Sequence, residues 1–197
     1  MWRVPWRIEE ARAAWQAAAP FSYVIGDDIV EAEALEGLTE LLEEEGVHRY
    51  EGEIFAFEAS APEPETAGFR ELRAAFAATL APALSEITGK RVTQVDMRAY
   101  AYRPGHYLLP HTDHRDGLDR ALAYAYYLPT PAVPEGGELE LFACTLAGRE
   151  IVEVASARVI EPVANRLVVF DVGDATLHQV REVVGGLRMS LAGWFYA

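Results

Sequence analysis

The stretch YRPGHYLLPHTD, residues 102–113, organises the rest of the chain. It ends with His111 and Asp113, which are separated by one residue. In an extended strand, residues i and i+2 project from the same face, so this imidazole and this carboxylate can share one metal ion. The motif is short and arises by chance in many proteins, so it needs support from the rest of the sequence.

His178 is the best candidate for a third ligand. It lies between two strongly apolar, strand-like runs, and Arg188 follows it ten residues later. Two neutral imidazoles and one carboxylate bind one face of Fe(II) and leave the other face open for a bidentate cosubstrate and dioxygen. Arg188 stays protonated and offers two parallel donors, which suit the far carboxylate of a dicarboxylate such as 2-oxoglutarate. The pattern predicts an iron site made of His111, Asp113 and His178, with Arg188 close by.

The other histidines fit this site less well. His114 has the wrong parity to join His111 and Asp113 on one strand face, and His106 precedes them in a predicted loop. His48 follows a helix-ending glycine and is expected to be exposed.

Four segments, in this order along the chain, carry a resemblance to a known family. The sequence resembles the Fe(II)/2-oxoglutarate-dependent dioxygenases, in particular the prolyl-hydroxylase branch, and is most similar to the catalytic domain of the eukaryotic ribosomal-protein prolyl hydroxylases. The segments are residues 102–113, 120–129, 136–142, and 178–183 followed by 188–194. A weaker likeness extends back through residues 85–89 to residues 20–25.

The resemblance also implies a cosubstrate site. Arg188 is expected to bind the far carboxylate of 2-oxoglutarate, assisted by the hydroxyl of Ser190 on the same strand face. Tyr102 and Tyr127 match tyrosines that contact 2-oxoglutarate in this branch, and Leu139 matches an apolar residue of the same pocket. The alternatives are a structural acid paired with Arg188, and plain core packing for the tyrosines and Leu139.

Two positions bear on the subgroup. The spacing of Tyr107 from Tyr102 is one residue shorter than is usual in the branch, so no role is carried to Tyr107. Pro129 follows a Tyr-Leu pair where many prolyl hydroxylases have asparagine, and it matches the ribosomal-protein subgroup.

The function implied by the resemblance is hydroxylation of an unactivated carbon by a prolyl 4-hydroxylase-like dioxygenase. Fe(II) is the metal, 2-oxoglutarate and O2 are cosubstrates, and ascorbate is an accessory reductant. The expected substrate is a prolyl residue of a protein or peptide. A free or carrier-bound amino acid or a natural-product peptide is the alternative, and a non-catalytic jelly-roll protein that binds a metal or ligand is the alternative of another class. Asp113 occupies the position where a halogenase of this family would need a halide, so hydroxylation is favoured.

Composition narrows the partners and the compartment. The 197 residues fit one domain, and the net charge of −14, from 31 acidic and 17 basic residues, argues against broad contact with nucleic acid. No apolar run reaches the length of a membrane span, and the N-terminus lacks the features of a signal peptide. A single cysteine, Cys144, excludes an internal disulfide. The expectations are a cytoplasmic monomer or homodimer without nucleic-acid or membrane partners.

The expected fold is α+β and mainly β: a double-stranded β-helix, the cupin-like jelly roll, buttressed by N-terminal helices. Helical support is expected over residues 1–90 and the jelly-roll core over residues 91–197. The predicted helices cover residues 8–18, from Asp27 or Asp28 to Gly46, and residues 69–87 with a break at Pro82. The predicted strands cover residues 20–26, 50–58, 92–102, 120–128, 138–142, 158–162, 166–172, 176–183 and 187–196. A tight hairpin at residues 184–187 is expected to join the His178 strand to the Arg188 strand.

Overall fold

The computed structural model describes residues 1–197, apart from the side chain of Glu36. Helices and strands alternate at first, and strands alone follow. The elements are α1 (Ile8–Ala17), β1 (Tyr23–Gly26), a 3-10 turn (Ala32–Ala34), α2 (Leu35–Glu45), β2 (His48–Gly52), β3 (Phe55–Ala59), α3 (Ala67–Thr88), β4 (Gln94–Val95), β5 (Arg98–Tyr102), β6 (Tyr107–His111), β7 (Arg120–Tyr127), β8 (Glu135–Gly136), β9 (Leu139–Ala147), β10 (Glu150–Ile160), β11 (Leu167–Asp171), β12 (His178–Val180), β13 (Val183–Gly185) and β14 (Arg188–Tyr196).

Twelve strands form one strongly curled antiparallel sheet. Its order is β1-β11-β7-β14-β5-β3-β6-β12-β9-β10, with β2 paired to β3 and β4 paired to β14, while β13 and β8 form a separate small pair. Strands β9 and β10 lie at one end of this order, and β7 and β11 lie near the other end. Side chains from all four strands share one buried cluster, which shows that the sheet curls back on itself. The predicted fold class is therefore confirmed as a mainly β jelly roll.

Period-two alternation explains how β7 serves two layers at once. Ala123, Ala125 and Tyr127 point into the space enclosed by the curled sheet. Leu122 and Tyr124 point the other way, into the core shared with the helices. The long helix α3 covers that outer face with buried residues that include Phe69, Leu72, Phe76, Leu80 and Leu84. The helices thus buttress the sheet and leave its inner face free for a site.

The second helix begins later than predicted. Asp28 does not cap a helix but has a positive φ of 56°, and α2 starts only at Leu35. Between them Val30 is buried, and its backbone N–H and C=O bond to the side chain of Asn165 at 2.9 and 2.8 Å. These two bonds from a distant asparagine satisfy the hydrogen-bonding groups of the Val30 backbone without a helix. The sequence around Val30 carries no sign of this contact.

Pro82 does not break α3, contrary to the prediction. The helix runs from Ala67 to Thr88 with Pro82 on its exposed side. The ring removes a single N–H donor, whereas the flanking Ala81, Ala83 and Leu84 are buried. Packing of the adjacent turns therefore outweighs the lost hydrogen bond.

Several predicted strands have different bounds. The strand expected over residues 50–58 is the β2–β3 hairpin, residues 92–102 divide into β4 and β5, and residues 176–183 divide between β12 and β13. The short strands expected at 138–142 and 158–162 are the bases of a long hairpin, β9–β10.

The hairpin expected at residues 184–187 is wrong. The His178 strand, β12, pairs with β6 and β9, whereas the Arg188 strand, β14, pairs with β5 and β7. Residues 183–185 form β13, which pairs with β8 in the separate small sheet, so no tight hairpin joins β12 to β14. No helix among the described residues is long and apolar enough to cross a membrane.

Candidate active site

Three side chains converge inside the curled sheet. His111 ends β6 and lies directly opposite His178 of β12 in the strand register. Asp113 follows β6 in a loop, with its carboxylate oxygens 3.4 Å from His178 Nε2 and 3.7 Å from His111 Nε2. One ligand atom from each residue lies within 4.8 Å of the other two. The three residues expected to form the cluster therefore do meet. Strand parity does not explain why Asp113 lies beside His111, because β6 ends at His111.

Backbone carbonyls fix the orientation of both imidazoles. His111 Nδ1 lies 3.0 Å from the carbonyl oxygen of Leu109, and His178 Nδ1 lies 3.0 Å from that of Thr176. A proton on Nδ1 satisfies each carbonyl and leaves the Nε2 lone pair free, which is the arrangement that metal-bound histidines adopt. Both free lone pairs point toward the Asp113 carboxylate.

Burial keeps His111 in the form that can bind a metal. Desolvation, with a smaller contribution from His178, lowers the pKa of His111 to about 4. At neutral pH this imidazole is therefore unprotonated. The chemistry of the donor set, two neutral nitrogens and one carboxylate, fits a divalent ion of the iron type.

Arg188 is a buried cation that pairs with no carboxylate among the side chains that the structure describes. It is 3% exposed, Nη1 donates to Ser190 Oγ at 3.3 Å, and the guanidinium carbon lies 4.7 Å from the ring centroid of Tyr102 and 5.0 Å from that of Tyr127. Arg188 Nε and the Tyr127 hydroxyl are buried without hydrogen-bond partners among the described residues. Since burying a charge is costly unless it is paired, these atoms are suited to receive a carboxylate. The alternative of a structural acid for Arg188 is not observed in the described part of the chain.

Strand register explains why these four residues meet. Arg188 of β14 lies opposite Tyr102 of β5, and Ser190 lies opposite Tyr127 of β7. Gly137 makes room for the arginine stem: a Cβ there would lie 2.8 Å from Arg188 Cδ, and its φ of +75° also favours glycine.

The His-Asp-His cluster and the buried cation Arg188 share one cavity of about 270 Å³. Its lining includes the His-Asp-His cluster together with Arg188, Ser190, Leu139 and Tyr102. Tyr127 is fully buried and contacts Arg188 without being a lining residue. The remaining wall is largely aromatic and includes Phe55, Phe57, Tyr100 and Phe170.

Sequence reasoning gave no role to Arg120, which also lines this cavity. Arg120 and Trp194 both line it, and the Arg120 guanidinium carbon lies 3.5 Å from the centroid of the Trp194 ring. Arg120 Nη1 also donates to the backbone oxygen of Asp113 at 3.1 Å, which ties it to the metal-ligand loop. Both residues belong to segments already singled out in the sequence, but only the pairing of β7 with β14 brings them together.

The other histidines lie outside the cluster, as expected. His48 is exposed on β2. His106 is buried in the turn before β6, where its backbone bonds to Arg103 and Val183. His114 Nε2 approaches Asp116 at 3.4 Å and Asp174 at 3.6 Å instead of the His-Asp-His cluster.

Comparison with known proteins supports this description. The family described as the 2OG-Fe(II) oxygenase superfamily matches residues 97–196. The chain is 28% identical over 212 aligned residues to Prolyl 3-hydroxylase OGFOD1 of Mus musculus, covering 95% of this chain and 37% of that protein. It is 35% identical over 117 residues to Prolyl 3-hydroxylase OGFOD1 of Xenopus laevis, covering 57% of this chain and 22% of that protein. The chain spans well under half the length of these curated relatives.

A similar fold occurs in the crystal structure of a Pseudomonas putida prolyl-4-hydroxylase. The TM-score is 0.71 at 22% identity, and the alignment covers 94% of this chain and 98% of that chain. At this level of identity the likeness concerns the fold.

Proposed function

Because this chain belongs to the 2OG-Fe(II) oxygenase superfamily, we propose that it hydroxylates a prolyl residue of a protein or peptide. The family implies Fe(II), 2-oxoglutarate and O2. The observation that carries the proposal is the cavity itself, in which a His-Asp-His cluster and an unpaired buried arginine face the same space. The mouse and frog relatives, which are named prolyl 3-hydroxylases, support the prolyl substrate.

Each site residue has a role in this proposal. Fe(II) would be held by His111 Nε2, His178 Nε2 and the Asp113 carboxylate. The far carboxylate of 2-oxoglutarate would be held by the residues around the buried cation, which are Arg188, Ser190, Tyr102 and Tyr127, and Leu139 would supply an apolar contact.

The protein chiefly supplies binding, orientation and exclusion of water. When bound, the iron with its cosubstrates supplies the oxidation of an unactivated C–H bond. In the balanced reaction one oxygen atom of O2 enters the substrate as a hydroxyl group, and the other enters succinate as CO2 leaves. The aromatic wall around Phe57 and Tyr100 keeps this space apolar. The Arg120–Trp194 pair lines the same cavity next to the Asp113 loop.

The non-catalytic alternative does not account for Arg188. A protein that only binds a metal has no use for a buried, unpaired guanidinium opposite the cluster, because its burial lowers stability. A free or carrier-bound amino acid and a natural-product peptide remain alternative substrates that the experiment below distinguishes. The low cysteine content favours the reducing cytoplasm as the compartment, and ascorbate as a reductant belongs to the same proposal.

The direct test is incubation with Fe(II), 2-oxoglutarate and ascorbate in the presence of proline-containing peptides or a cytosolic lysate. We expect a gain of one oxygen atom on a prolyl residue by mass spectrometry, with one succinate formed for each hydroxyl group. Amino-acid analysis then separates 3-hydroxyproline from 4-hydroxyproline. The His178→Ala variant and peptides with proline replaced by alanine are the controls. Oxygen gained only by non-prolyl residues or only by free amino acids would refute the prolyl assignment and leave the oxygenase assignment standing.

A further inference from the structure

The long β9–β10 hairpin ends at a tight turn that holds one arginine. Ala147 and Glu150 are paired across it, so Gly148 and Arg149 alone form the turn. Gly148 has a φ of +68°, which a glycine adopts at little cost in a two-residue hairpin. Arg149 is therefore carried on a short, well-defined turn and not on a loose loop.

Arg149 forms paired hydrogen bonds with two aspartates at once. Nε and Nη2 donate to the Asp174 carboxylate at 2.8 and 3.2 Å, and Nη1 and Nη2 donate to the Asp116 carboxylate at 3.2 and 3.0 Å. Arginine is suited to this because its guanidinium presents several donors in one plane. The guanidinium lowers the pKa of both Asp116 and Asp174.

Asp174 belongs to the turn that orients His178. Within that turn Thr176 Oγ1 accepts from the Gly173 N–H at 3.0 Å and donates to the Gly173 carbonyl at 2.9 Å. The carbonyl of Thr176 then meets His178 Nδ1 at 3.0 Å. A contact at Asp174 is thus two residues away from the group that sets the ring orientation of a metal ligand.

Asp116 belongs to the loop that carries Asp113. This loop follows β6, and Arg115 bridges it internally by donating to the carbonyls of Thr112 and His114 at 3.0 and 2.8 Å. His114 Nε2 faces the same two aspartates as Arg149, so the contact area joins both loops. The Asp113 loop and the turn before His178 come from distant parts of the sequence, and Arg149 links them through side chains.

We propose that Arg149 is a positioning residue that clasps the Asp113 loop to the turn before His178 and so holds the metal ligands in register. This inference rests on the proposed iron role of the His-Asp-His cluster. In this proposal the β9–β10 hairpin places the Arg149 guanidinium between the Asp113 loop and the turn before His178. Because Arg149 and Asp116 are exposed, the clasp is screened by salt, which gives it a signature that packing lacks.

The test uses the Arg149→Gln variant of the full chain with Co(II) as the probe, without 2-oxoglutarate. Release of Co(II) to a chelator is followed by stopped flow, and amide hydrogen exchange is measured on the metal-free protein. We expect release to be about three- to tenfold faster than in the parent, the scale of one or two exposed charge pairs. Exchange should be faster in residues 112–119 and 173–177 and unchanged in β7 and β14. In the parent, salt on the order of 1 M should bring the release rate toward that of the variant.

Two variants separate positioning from general stability. Arg149→Lys keeps the charge and loses the fork, so its release rate should fall between those of the parent and Arg149→Gln. Arg166→Gln is the matched control, since Arg166 makes a similar two-bond pair with Asp27, at 2.7 and 3.1 Å, away from the cavity. Its Co(II) release should equal that of the parent.

The proposal is overturned if Arg149→Gln matches the parent, or changes release no more than Arg166→Gln does. It is also overturned if release from the parent is insensitive to salt. If the parent itself binds no Co(II) at the cluster, the proposed iron site fails, which is a distinct result.

Discussion

At the scale of single residues, the buried guanidinium of Arg188 is the group best suited to bind an anionic ligand. Its charge is buried between two tyrosine rings, and the Ser190 hydroxyl accepts a hydrogen bond from it. Such an arrangement lowers the stability of the free protein, and the lost stability is regained when an anion binds. The aromatic faces of Tyr102 and Tyr127 make the burial of the cation tolerable in the meantime.

Replacing Arg188 with lysine should weaken 2-oxoglutarate binding while leaving the metal ligands intact. Lysine keeps the charge but offers no planar fork, so we expect a loss of roughly 1.5 to 3 kcal/mol, or about ten- to a hundredfold in affinity. Anaerobic titration of the Fe(II) protein with 2-oxoglutarate measures this, and Co(II) affinity without cosubstrate is the control. An unchanged 2-oxoglutarate affinity would make Arg188 a structural residue.

Removing an imidazole from the cluster should eliminate metal binding. We expect His178→Ala to lose more than about a hundredfold in Co(II) affinity, because a ligand and its well-oriented lone pair are gone. His48→Ala, at an exposed position on β2, is the matched control and should bind as the parent does. Thermal unfolding of the metal-free proteins shows whether the fold is retained. Retention of Co(II) by a folded His178→Ala protein would mean that the ligand set is wrongly drawn.

The chemical roles of individual residues could be predicted from the sequence, whereas many of their contacts in the folded chain could not. His111, Asp113, His178 and Arg188 were identifiable because their residue types, order and spacing suit one chemistry. The Arg120–Trp194 stack and the Arg149 clasp were not, because each depends on strands or loops that meet only in the folded chain. A local pattern carries no signal for such a contact.

At the scale of elements, the short strand β12 depends on a buried carboxylate. Glu140 of β9 accepts hydrogen bonds from Gln179 and Arg181, both at 2.7 Å, and from Ser156 of β10. Gln179 and Arg181 flank Val180 at the end of the three-residue strand that carries His178. Glu140 therefore fastens this strand to the rest of the sheet from the side facing away from the cavity.

This network should make stability depend on pH in the acid range. The hydrogen bond from Arg181 is the main cause that lowers the pKa of Glu140 to about 2 from its ordinary 4.5, with burial opposing it and the bonds from Ser156 and Gln179 adding to it. A lowered folded-state pKa stabilises the fold above pH 4.5, and the contribution is lost as the pH falls from there toward about 2. Urea unfolding of the parent and of Glu140→Gln at pH 7 and at lower pH measures it. We expect the parent's advantage to shrink on acidification, and a constant difference would contradict the account.

The bounds of several strands were predicted well because burial imposes a pattern on them. β7, β11 and β14 are buried on both faces or alternate cleanly, and their predicted bounds agree to within a residue or two. The β9–β10 hairpin was underestimated because most of β10 is exposed, including Val152 and Val154, so its sequence lacks an inward-outward alternation. The start of α2 was misjudged because Asn165, far along the chain, holds residues 29–30 in an extended form.

At the scale of the whole molecule, the curled sheet makes the site by bringing opposite parts of one sheet face to face. The proposed metal ligands come from β6, β12 and the loop after β6, and the proposed cosubstrate residues come from β5, β7, β9 and β14. The resemblance predicted the jelly roll and the order of these segments. It did not give the pairing of β12 with β6 and β9, which replaces the expected hairpin and sets the distance between cluster and cation across the cavity.

The central claim is that the His-Asp-His cluster and Arg188 form one centre that binds Fe(II) and 2-oxoglutarate together. Anaerobic absorption spectroscopy of the purified protein tests it most directly. We expect a weak visible charge-transfer band only when Fe(II) and 2-oxoglutarate are both present, absent from Asp113→Ala and shifted to higher 2-oxoglutarate concentration in Arg188→Lys. The claim is contradicted if the parent shows no band, or if the band persists unchanged in Asp113→Ala.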